Sequence, residues 1–330
     1  MDKVALITGV NGQDGSYLAE HLIDRGYIVV GLIRRMEARW SPNLEALCKR
    51  AAGSFELHVC DLQDRMALLR LMGHFNVTEV YHLAGQTYVP SSIGAPDATI
   101  RDTAILAIEV LQAAWLYQSN LGKEVRIYLA SSSEMFGNSG GRTSADPMNP
   151  CSPYGLAKKI AHDAGAFFSQ YRGLFVARGI CFNHESPRRG PMFFTKQVVR
   201  QVAAVLTGEL SKVTLGQADA MRDWGWAPEY VVAMRKLLEA KEPLTTVICT
   251  GRSAYTAQFA NECMSMAGLD PGQLAFGDPA RLRGKLELRE LRGDPEEAAT
   301  KIGWRAEYDW RRVAREMLEA ETGKRFPIIN

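Results

Sequence analysis

A glycine-rich turn near the N-terminus constrains the fold of this chain more than any other segment. An apolar run, Val4 to Thr8, leads into the sequence GVNGQDG at residues 9–15, and helical apolar spacing follows from Ser16 to Arg25. Glycines three residues apart suit a tight turn whose backbone approaches a pyrophosphate at a helix N-terminus. A second strand-like run, Ile28 to Ile33, comes next. This order favours a dinucleotide-binding unit over a purely structural turn.

Strand-like and helical segments continue to alternate after this unit. Apolar runs at Phe55–Val59, Glu79–Leu83 and Val125–Ala130 are separated by helical patterns, including a long one from Pro96 to Tyr117. A further helical run extends from Ser152 to Tyr171. The alternation predicts an α/β fold, a Rossmann-type doubly wound parallel sheet with a smaller C-terminal substrate-binding lobe.

The later part of the chain shows amphipathic helices and short strands without a flexible linker. We expect an NADP-binding Rossmann domain at 1–182 and a mainly substrate-binding lobe at 183–330, with a soft boundary and segments that interleave. The helices expected in the later part are Phe193–Leu206, Pro228–Ala240, Thr256–Ala267 and Asp309–Glu321, and the strands are Val213–Gly216 and Thr245–Thr250.

Charge and cysteine usage argue against several classes of function. The 39 basic and 37 acidic residues nearly balance, at a net charge of +2, so neither nucleic acid nor a membrane surface is indicated as a partner. The six cysteines form no Cys-x-x-Cys pair, which argues against a zinc site or a disulfide framework. No apolar run approaches membrane-spanning length. We therefore expect a soluble cytoplasmic protein without a metal.

The end of the second strand predicts which dinucleotide is bound. An acidic residue there would hold the ribose 2′-hydroxyl of NAD, but the chain has Arg34 and Arg35, whose guanidinium groups suit a 2′-phosphate. NADP is therefore the expected cofactor, and solvated surface charges are the alternative interpretation. Asp61, after the third strand, is placed to reach the adenine amino group, and Ala84-Gly85-Gln86, after the fourth, can lie along the cofactor.

Two further groups of residues predict acid–base chemistry. Tyr154 and Lys158 lie four apart in one helical run, so a phenol and an ammonium share a face. A neighbouring cation lowers a phenol's pKa, and the pair then suits proton removal from an alcohol during oxidation. At the end of the fifth strand, Ser132 can donate to a sugar oxygen and Glu134 can exchange a proton. A solvated lysine and serines that satisfy strand-end backbone are the alternatives.

Four stretches of the chain resemble the GDP-mannose 4,6-dehydratase family of extended short-chain dehydrogenases/reductases. They are Gly12–Glu20, Ser132–Gly137, Phe182–Gly190 and Arg222–Gly225, and the third is the most specific. The resemblance runs through most of the chain and thins after about Tyr230. It implies a Rossmann-type enzyme that holds NADP tightly and acts on a nucleotide-sugar.

The resemblance implies a role for each matching residue. Ser132 bonds the hexose, Glu134 is the acid/base, Tyr154 is the oxidation base and Lys158 binds the nicotinamide ribose; these four are the expected catalytic residues. The residues assigned to NADP by the motifs and the resemblance together are Gly9, Asn11, Gly12, Gln13, Asp14, Gly15, Arg34, Arg35, Asp61, Leu62, Leu83, Ala84, Gly85, Gln86, Lys158, His184 and Arg189. Those assigned to the sugar nucleotide are Ser132, Asn183, Lys196, Arg222, Arg283 and Glu287.

The implied reaction is that of a hydro-lyase without net redox change. C4 of GDP-mannose is oxidised, water is eliminated across C5 and C6, and hydride returns to C6, which gives GDP-4-keto-6-deoxymannose. The alternatives are a dehydratase for another GDP-sugar such as a heptose, a 4-keto reductase or epimerase, and a regulatory NADP-binding protein. Glu134 favours elimination, and the intact pair of Tyr154 and Lys158 favours an enzyme.

Departures from the family pattern bear on the assembly and the substrate. Met36–Asn43 does not resemble the serine-rich loop that joins subunits in family tetramers. We expect a homodimer through the helices of Pro96–Tyr117 and Ser152–Tyr171, with a tetramer as the alternative. Ala98 stands where the family has a tyrosine, and Cys151 replaces an arginine before the active tyrosine; each change can alter affinity.

Overall fold

A seven-stranded parallel sheet forms the centre of the protein. The structure, a computed structural model, describes residues 3–50, 53–216, 218–277, 288 and 290–326. The strands in these ranges are β1 (Val4–Thr8), β2 (Ile28–Ile33), β3 (Phe55–Val59), β4 (Glu79–His82), β5 (Arg126–Ser132), β6 (Phe175–Cys181), β7 (Asn183–Glu185), β8 (Val213–Leu215), β9 (Met221–Trp226), β10 (Thr245–Ile248), β11 (Ser253–Tyr255), β12 (Leu274–Phe276) and β13 (Glu290–Leu291).

The strand order of the main sheet places the candidate site. The order is β10-β6-β5-β4-β1-β2-β3, and every adjacent pair is parallel. The direction of winding reverses between β1 and β4, and ligands of such sheets bind in the crevice outside the carboxyl ends at this point. The predicted fold class is therefore confirmed, and the glycine turn after β1 lies at the expected crevice.

Helices cover both faces of the main sheet and also surround a smaller group of strands. The helices in the described ranges are α1 (Gln13–Ile23), α2 (Pro42–Arg50), α3 (Arg65–Phe75), α4 (Val89–Gly94), α5 (Pro96–Ile100), α6 (Leu106–Leu121), α7 (Pro153–Arg172), α8 (Phe194–Leu206), α9 (Ala227–Leu238), α10 (Thr256–Met266), α11 (Pro295–Ile302) and α12 (Trp310–Thr322). One buried apolar cluster joins α1, α2 and α9 to the sheet, and another joins α3, α6 and α7. Each fully buried leucine in these clusters, such as Leu22 or Leu111, contributes about 2 kcal/mol of transfer free energy.

Some of the segments that follow β6 in the chain form a second, smaller group of strands and helices. β9 pairs with β7, β11 and β13, and β8 pairs with β12. Helices α8, α10 and α12 pack around a separate apolar cluster that includes Trp224 and Trp310, so these two tryptophans are packing residues. Within the described ranges, no helix is both long and apolar enough to cross a membrane.

Two predicted elements differ from the structure. The run Thr245–Thr250 was expected among the short strands of the later lobe, but β10 lies beside β6 in the main sheet. Val247 and Ile248 are fully buried there, as expected for a parallel strand covered on both faces. The helix expected from Pro96 to Tyr117 is divided into α5, a π-helical segment at Arg101–Ile105, and α6.

Candidate active site

The turn after β1 requires glycine at two positions. Gly9 has φ of 71°, a left-handed conformation that side chains other than glycine rarely adopt. A Cβ on Gly15 would lie 2.4 Å from the carbonyl oxygen of Gly9. The first turn of α1 therefore abuts the turn directly, with its N-terminal N–H groups facing the crevice.

A cavity of about 470 Å³ opens at this crevice, and we call it the strand-end cavity. Its lining includes fourteen of the residues predicted to bind NADP, namely Gly9, Asn11, Gly12, Gln13, Asp14, Gly15, Arg34, Asp61, Leu62, Leu83, Ala84, Gly85, Gln86 and Arg189. Three others, Arg35, Lys158 and His184, are outside the lining. The turns after β1 to β4 thus converge on one cavity.

The sequence did not indicate several residues that line this cavity. They are Thr8, Leu32, Ile33, Cys60, Thr87, Asp102 and Leu106. Thr8, Ile33 and Cys60 immediately precede predicted cofactor residues at strand ends, and Leu32 is one residue further back, so their position was available from the sequence. Asp102 and Leu106 belong to a helical run that carried no ligand signal, and the fold alone brings them to the cavity.

His184 is outside the cavity lining but contacts Asp14 in the glycine-rich segment. Its Nε2 lies 2.9 Å from Oδ2 of Asp14, its Nδ1 lies 2.7 Å from the carbonyl oxygen of Phe182, and its ring stacks on Tyr230. Burial alone would raise the pKa of Asp14, but the charge and hydrogen bond of His184 outweigh it and lower that pKa to about 2. The pKa of His184 is raised, because the same partner outweighs burial. This ion pair fixes the start of α1 to the strand after β6.

The end of β5 forms a tight turn that carries Glu134. The hydroxyl of Ser132 accepts a hydrogen bond from the backbone N–H of Glu134 at 3.3 Å and caps a short 3₁₀ helix, Ser133–Phe136. Gly137 ends the turn with φ of 58°, where a Cβ would collide with the carbonyl of Asn149. The backbone around Glu134 is therefore fixed on both sides.

The start of α7 packs directly against this turn. Ser152 caps the helix, because its hydroxyl accepts from the N–H of Gly155 at 3.0 Å. A Cβ on Gly155 would lie 2.6 Å from the carbonyl oxygen of Glu134, so only glycine allows this approach. Tyr154 is 7% exposed, and the hydroxyl of Ser132 acts on its phenol in the direction that lowers the phenol's pKa. The fold thus brings together the three predicted residues Ser132, Glu134 and Tyr154.

Lys158 occupies the next turn of α7, as its spacing predicts. Its ammonium donates to the carbonyl oxygen of Ala130 at 2.8 Å and lies 6.0 Å from the centre of the Tyr154 ring. Burial lowers the pKa of Lys158 to about 8, so the side chain is mainly charged at neutral pH.

The pKa of Tyr154 shifts in the direction opposite to that expected from the sequence. Burial raises it, and the charge of Glu134 adds to the rise. The hydrogen bond from Ser132 and the charge of Arg189 act in the lowering direction without cancelling burial. The expectation that Lys158 lowers this pKa was wrong because desolvation is larger and the ammonium is directed at the Ala130 carbonyl.

The residues predicted to bind the sugar nucleotide have different surroundings. Arg222 donates to the carbonyl oxygens of Met221 and Leu288, at 2.9 and 2.8 Å. Burial raises the pKa of the Cys151 thiol, the charge of Glu134 adds to the rise and the charge of Arg222 opposes it, so both charges act on the same thiol.

Two other predicted substrate residues, Lys196 and Asn183, lie within the described ranges. Lys196 donates to Glu321 of α12 at 2.6 Å and to the Pro187 carbonyl at 3.1 Å. Asn183 lies in β7 opposite Trp224. The predicted residues Arg283 and Glu287 lie outside the described residues.

Comparison with known proteins identifies the family. The family model described as GDP-mannose 4,6 dehydratase matches residues 6–317. The chain belongs to this family. GDP-mannose 4,6 dehydratase 2 of Caenorhabditis elegans is 34% identical over 341 residues, which cover 97% of this chain and 89% of that protein. GDP-mannose 4,6 dehydratase 1 of Arabidopsis thaliana is 34% identical over 334 residues, which cover 99% and 92%.

Solved structures show the same fold at lower identity. MoeE5, solved in complex with UDP-glucuronic acid and NAD, is 25% identical and superposes with a TM-score of 0.80, covering 97% of this chain and 98% of that one. The resemblance to the GDP-mannose 4,6-dehydratase family, which four stretches of the sequence indicated, is confirmed over nearly the whole chain by the family model and the relatives.

Proposed function

We propose that this protein is a GDP-mannose 4,6-dehydratase that uses NADP. The observation that carries the proposal is the contact between the turn of Glu134 and the start of α7, because it brings the backbone of Glu134 against the helix turn that carries Tyr154, and the charge of Glu134 acts on that phenol. Membership of the family supports GDP-mannose as the substrate.

The strand-end cavity suits a dinucleotide cofactor. Its volume of about 470 Å³ lies within the range of about 300–1,000 Å³ that is usual for small-molecule sites. Side-chain-free backbone at Gly9 and Gly12 faces an α-helix N-terminus, which is the environment that a pyrophosphate requires. When bound, the dinucleotide would supply the nicotinamide ring, which accepts hydride from the sugar and returns it. In its oxidised form this ring would also add a positive charge to the site.

Tyr154 is the base for oxidation of the C4 hydroxyl in this proposal. Its phenolate form accepts the hydroxyl proton, while Ser132, whose hydroxyl acts on the phenol in the direction that favours the phenolate, holds the sugar oxygen. Lys158 uses one of its three donors on the Ala130 carbonyl, and the others remain suited to ribose hydroxyls. Arg189 contributes a positive charge that favours the phenolate.

Glu134 is the base for the elimination. Oxidation at C4 acidifies the C5 hydrogen, and a carboxylate can then remove it as the C6 hydroxyl departs. The preceding residue, Ser133, is buried, and Glu134 is the one carboxylate in the sequence of this turn, residues 132–137. We therefore assign both proton removal at C5 and proton delivery to the leaving hydroxyl to Glu134.

The product mass tests the reaction. We expect incubation with GDP-mannose to give a product lighter by one water, as measured by mass spectrometry. Other GDP-hexoses and a GDP-heptose serve as competing substrates. A product of unchanged mass would indicate an epimerase, and no product from any nucleotide-sugar would indicate a binding protein.

Substitutions of Arg34 and Arg35 test whether the protein prefers NADP to NAD. Arg34 lines the strand-end cavity, whereas Arg35 is exposed outside the lining. We expect Arg34→Gln to weaken NADP binding by about tenfold, the scale of a lost hydrogen bond to a charged group, and Arg35→Gln to change it by less than about twofold. Calorimetric titration with NADP and NAD measures both effects. Equal affinities of the unmodified protein for the two dinucleotides would contradict the preference.

We infer that the protein forms a homodimer through α6 and α7. Leu156, Phe167 and Tyr171 lie on one face of α7 and are 42%, 46% and 66% exposed, and exposed large apolar side chains on one face are typical of an interaction surface. Phe167→Glu should convert the dimer to a monomer in sedimentation velocity. A monomeric unmodified protein would contradict this assembly.

A further inference from the structure

An ion pair lies at one rim of the strand-end cavity. Nη1 of Arg34 is 3.1 Å from Oδ2 of Asp102, and both residues line the cavity. The side chain of Arg34 is 56% exposed and that of Asp102 is 31% exposed, so the pair is accessible to a ligand in the cavity. The residue predicted to select the cofactor is therefore already bound to a carboxylate.

The fold holds Asp102 in this place. It lies in the π-helical segment Arg101–Ile105, where the wider turn shifts side chains relative to an α-helix. The next residue, Thr103, is buried, and its hydroxyl would lie 3.5 Å from a Cβ on Gly85, so the segment packs against the turn after β4. Leu106, one turn later, lines the same cavity.

The charges at this rim differ from those suggested by the sequence. Of the two arginines that follow β2, only Arg34 lines the cavity, and it faces the carboxylate of Asp102. Asp61, on the next strand end, adds a second carboxylate to the lining. A 2′-phosphate carries about two negative charges and would be repelled by Asp102, whereas a carboxylate is the group that accepts a hydrogen bond from a ribose 2′-hydroxyl.

We infer that Asp102 is a specificity-determining residue for the cofactor. Its carboxylate binds the ribose 2′-hydroxyl of NAD and competes with a 2′-phosphate for Arg34, so the site accepts both dinucleotides and the preference for NADP is limited. This inference rests on the proposed function only in requiring that the protein bind a nicotinamide dinucleotide.

Calorimetric titration of Asp102→Asn with both dinucleotides tests the inference. Removal of one charge at a partly exposed rim should tighten NADP binding by about three- to tenfold, because exposed charge pairs have modest energies and the phosphate is doubly charged. NAD binding should weaken by about two- to fivefold, since an amide is a poorer acceptor than a carboxylate. The change for NADP should shrink at high salt, where exposed charges are screened.

Asp97→Asn is the matched control. Asp97 lies in α5, five residues before Asp102, with its side chain 77% exposed in an ion pair with Arg101, and it is outside the cavity lining. We expect this variant to leave both affinities within about 1.5-fold, because charges away from the ligand are screened. Asp102→Ser, expected to act in the same direction, replaces Asp102→Asn if that variant fails to fold.

The outcomes separate the two proposals. An unchanged ratio of NADP to NAD affinity in Asp102→Asn, or a change equal to that in Asp97→Asn, would overturn the inference. Failure of the unmodified protein to bind either dinucleotide would instead overturn the proposed function.

Discussion

Tyr154→Phe should lower the turnover of GDP-mannose by at least about a hundredfold, the usual scale for a lost acid–base catalyst. The phenol is buried and belongs to the helix start that packs against the turn of Glu134, so its oxygen, as the phenolate, is the atom proposed to receive the C4 proton. Phenylalanine keeps the ring and its packing but removes the proton acceptor. The measurement is steady-state product formation at saturating cofactor.

Tyr171→Phe is the matched control for this variant. Tyr171 lies on the same helix but is 66% exposed, so its hydroxyl has no part in the site. Its variant should retain the turnover of the unmodified protein. Activity of Tyr154→Phe within about threefold of the unmodified protein, with unchanged thermal unfolding, would exclude Tyr154 as the base.

Glu134→Gln should separate oxidation from elimination. The amide keeps the shape of the side chain and the cap from Ser132 to the backbone N–H, but it cannot remove the C5 proton. We expect little dehydrated product, while absorbance of a reduced nicotinamide near about 340 nm still appears when substrate is mixed with the loaded protein. Deuterium at C5 should exchange with water far more slowly than in the unmodified protein.

Glu45→Gln is the control for loss of one negative charge. Glu45 is exposed on α2 and pairs with Lys49. It belongs to a different element from the turn that carries Glu134. Undiminished loss of water in Glu134→Gln would move the elimination base to another residue. Absence of C4 oxidation in a correctly folded Glu134→Gln would make Glu134 a binding residue.

The main sheet and the cofactor turn were predictable because their signals are local. Glycine spacing after β1, the apolar runs of β2 and β3, and the serine cap of α7 each specify their own conformation.

The features that were missed depend on contacts between distant segments. Asp102 reaches Arg34 across 68 residues, through a π-helical turn that apolar periodicity does not reveal. Lys196 pairs with Glu321, 125 residues later in the chain, a contact that the sequence did not indicate. The raised pKa of Tyr154 follows from burial, which a spacing of four residues to a lysine does not report.

GDP-mannose carrying deuterium at C4 reports whether the hydrogen removed in the oxidation returns to the same sugar. We expect a product lighter by one water in which the deuterium is found at C6, located by nuclear magnetic resonance. A product with deuterium still at C4 and no loss of water, or with the deuterium lost to added free dinucleotide, would contradict this expectation.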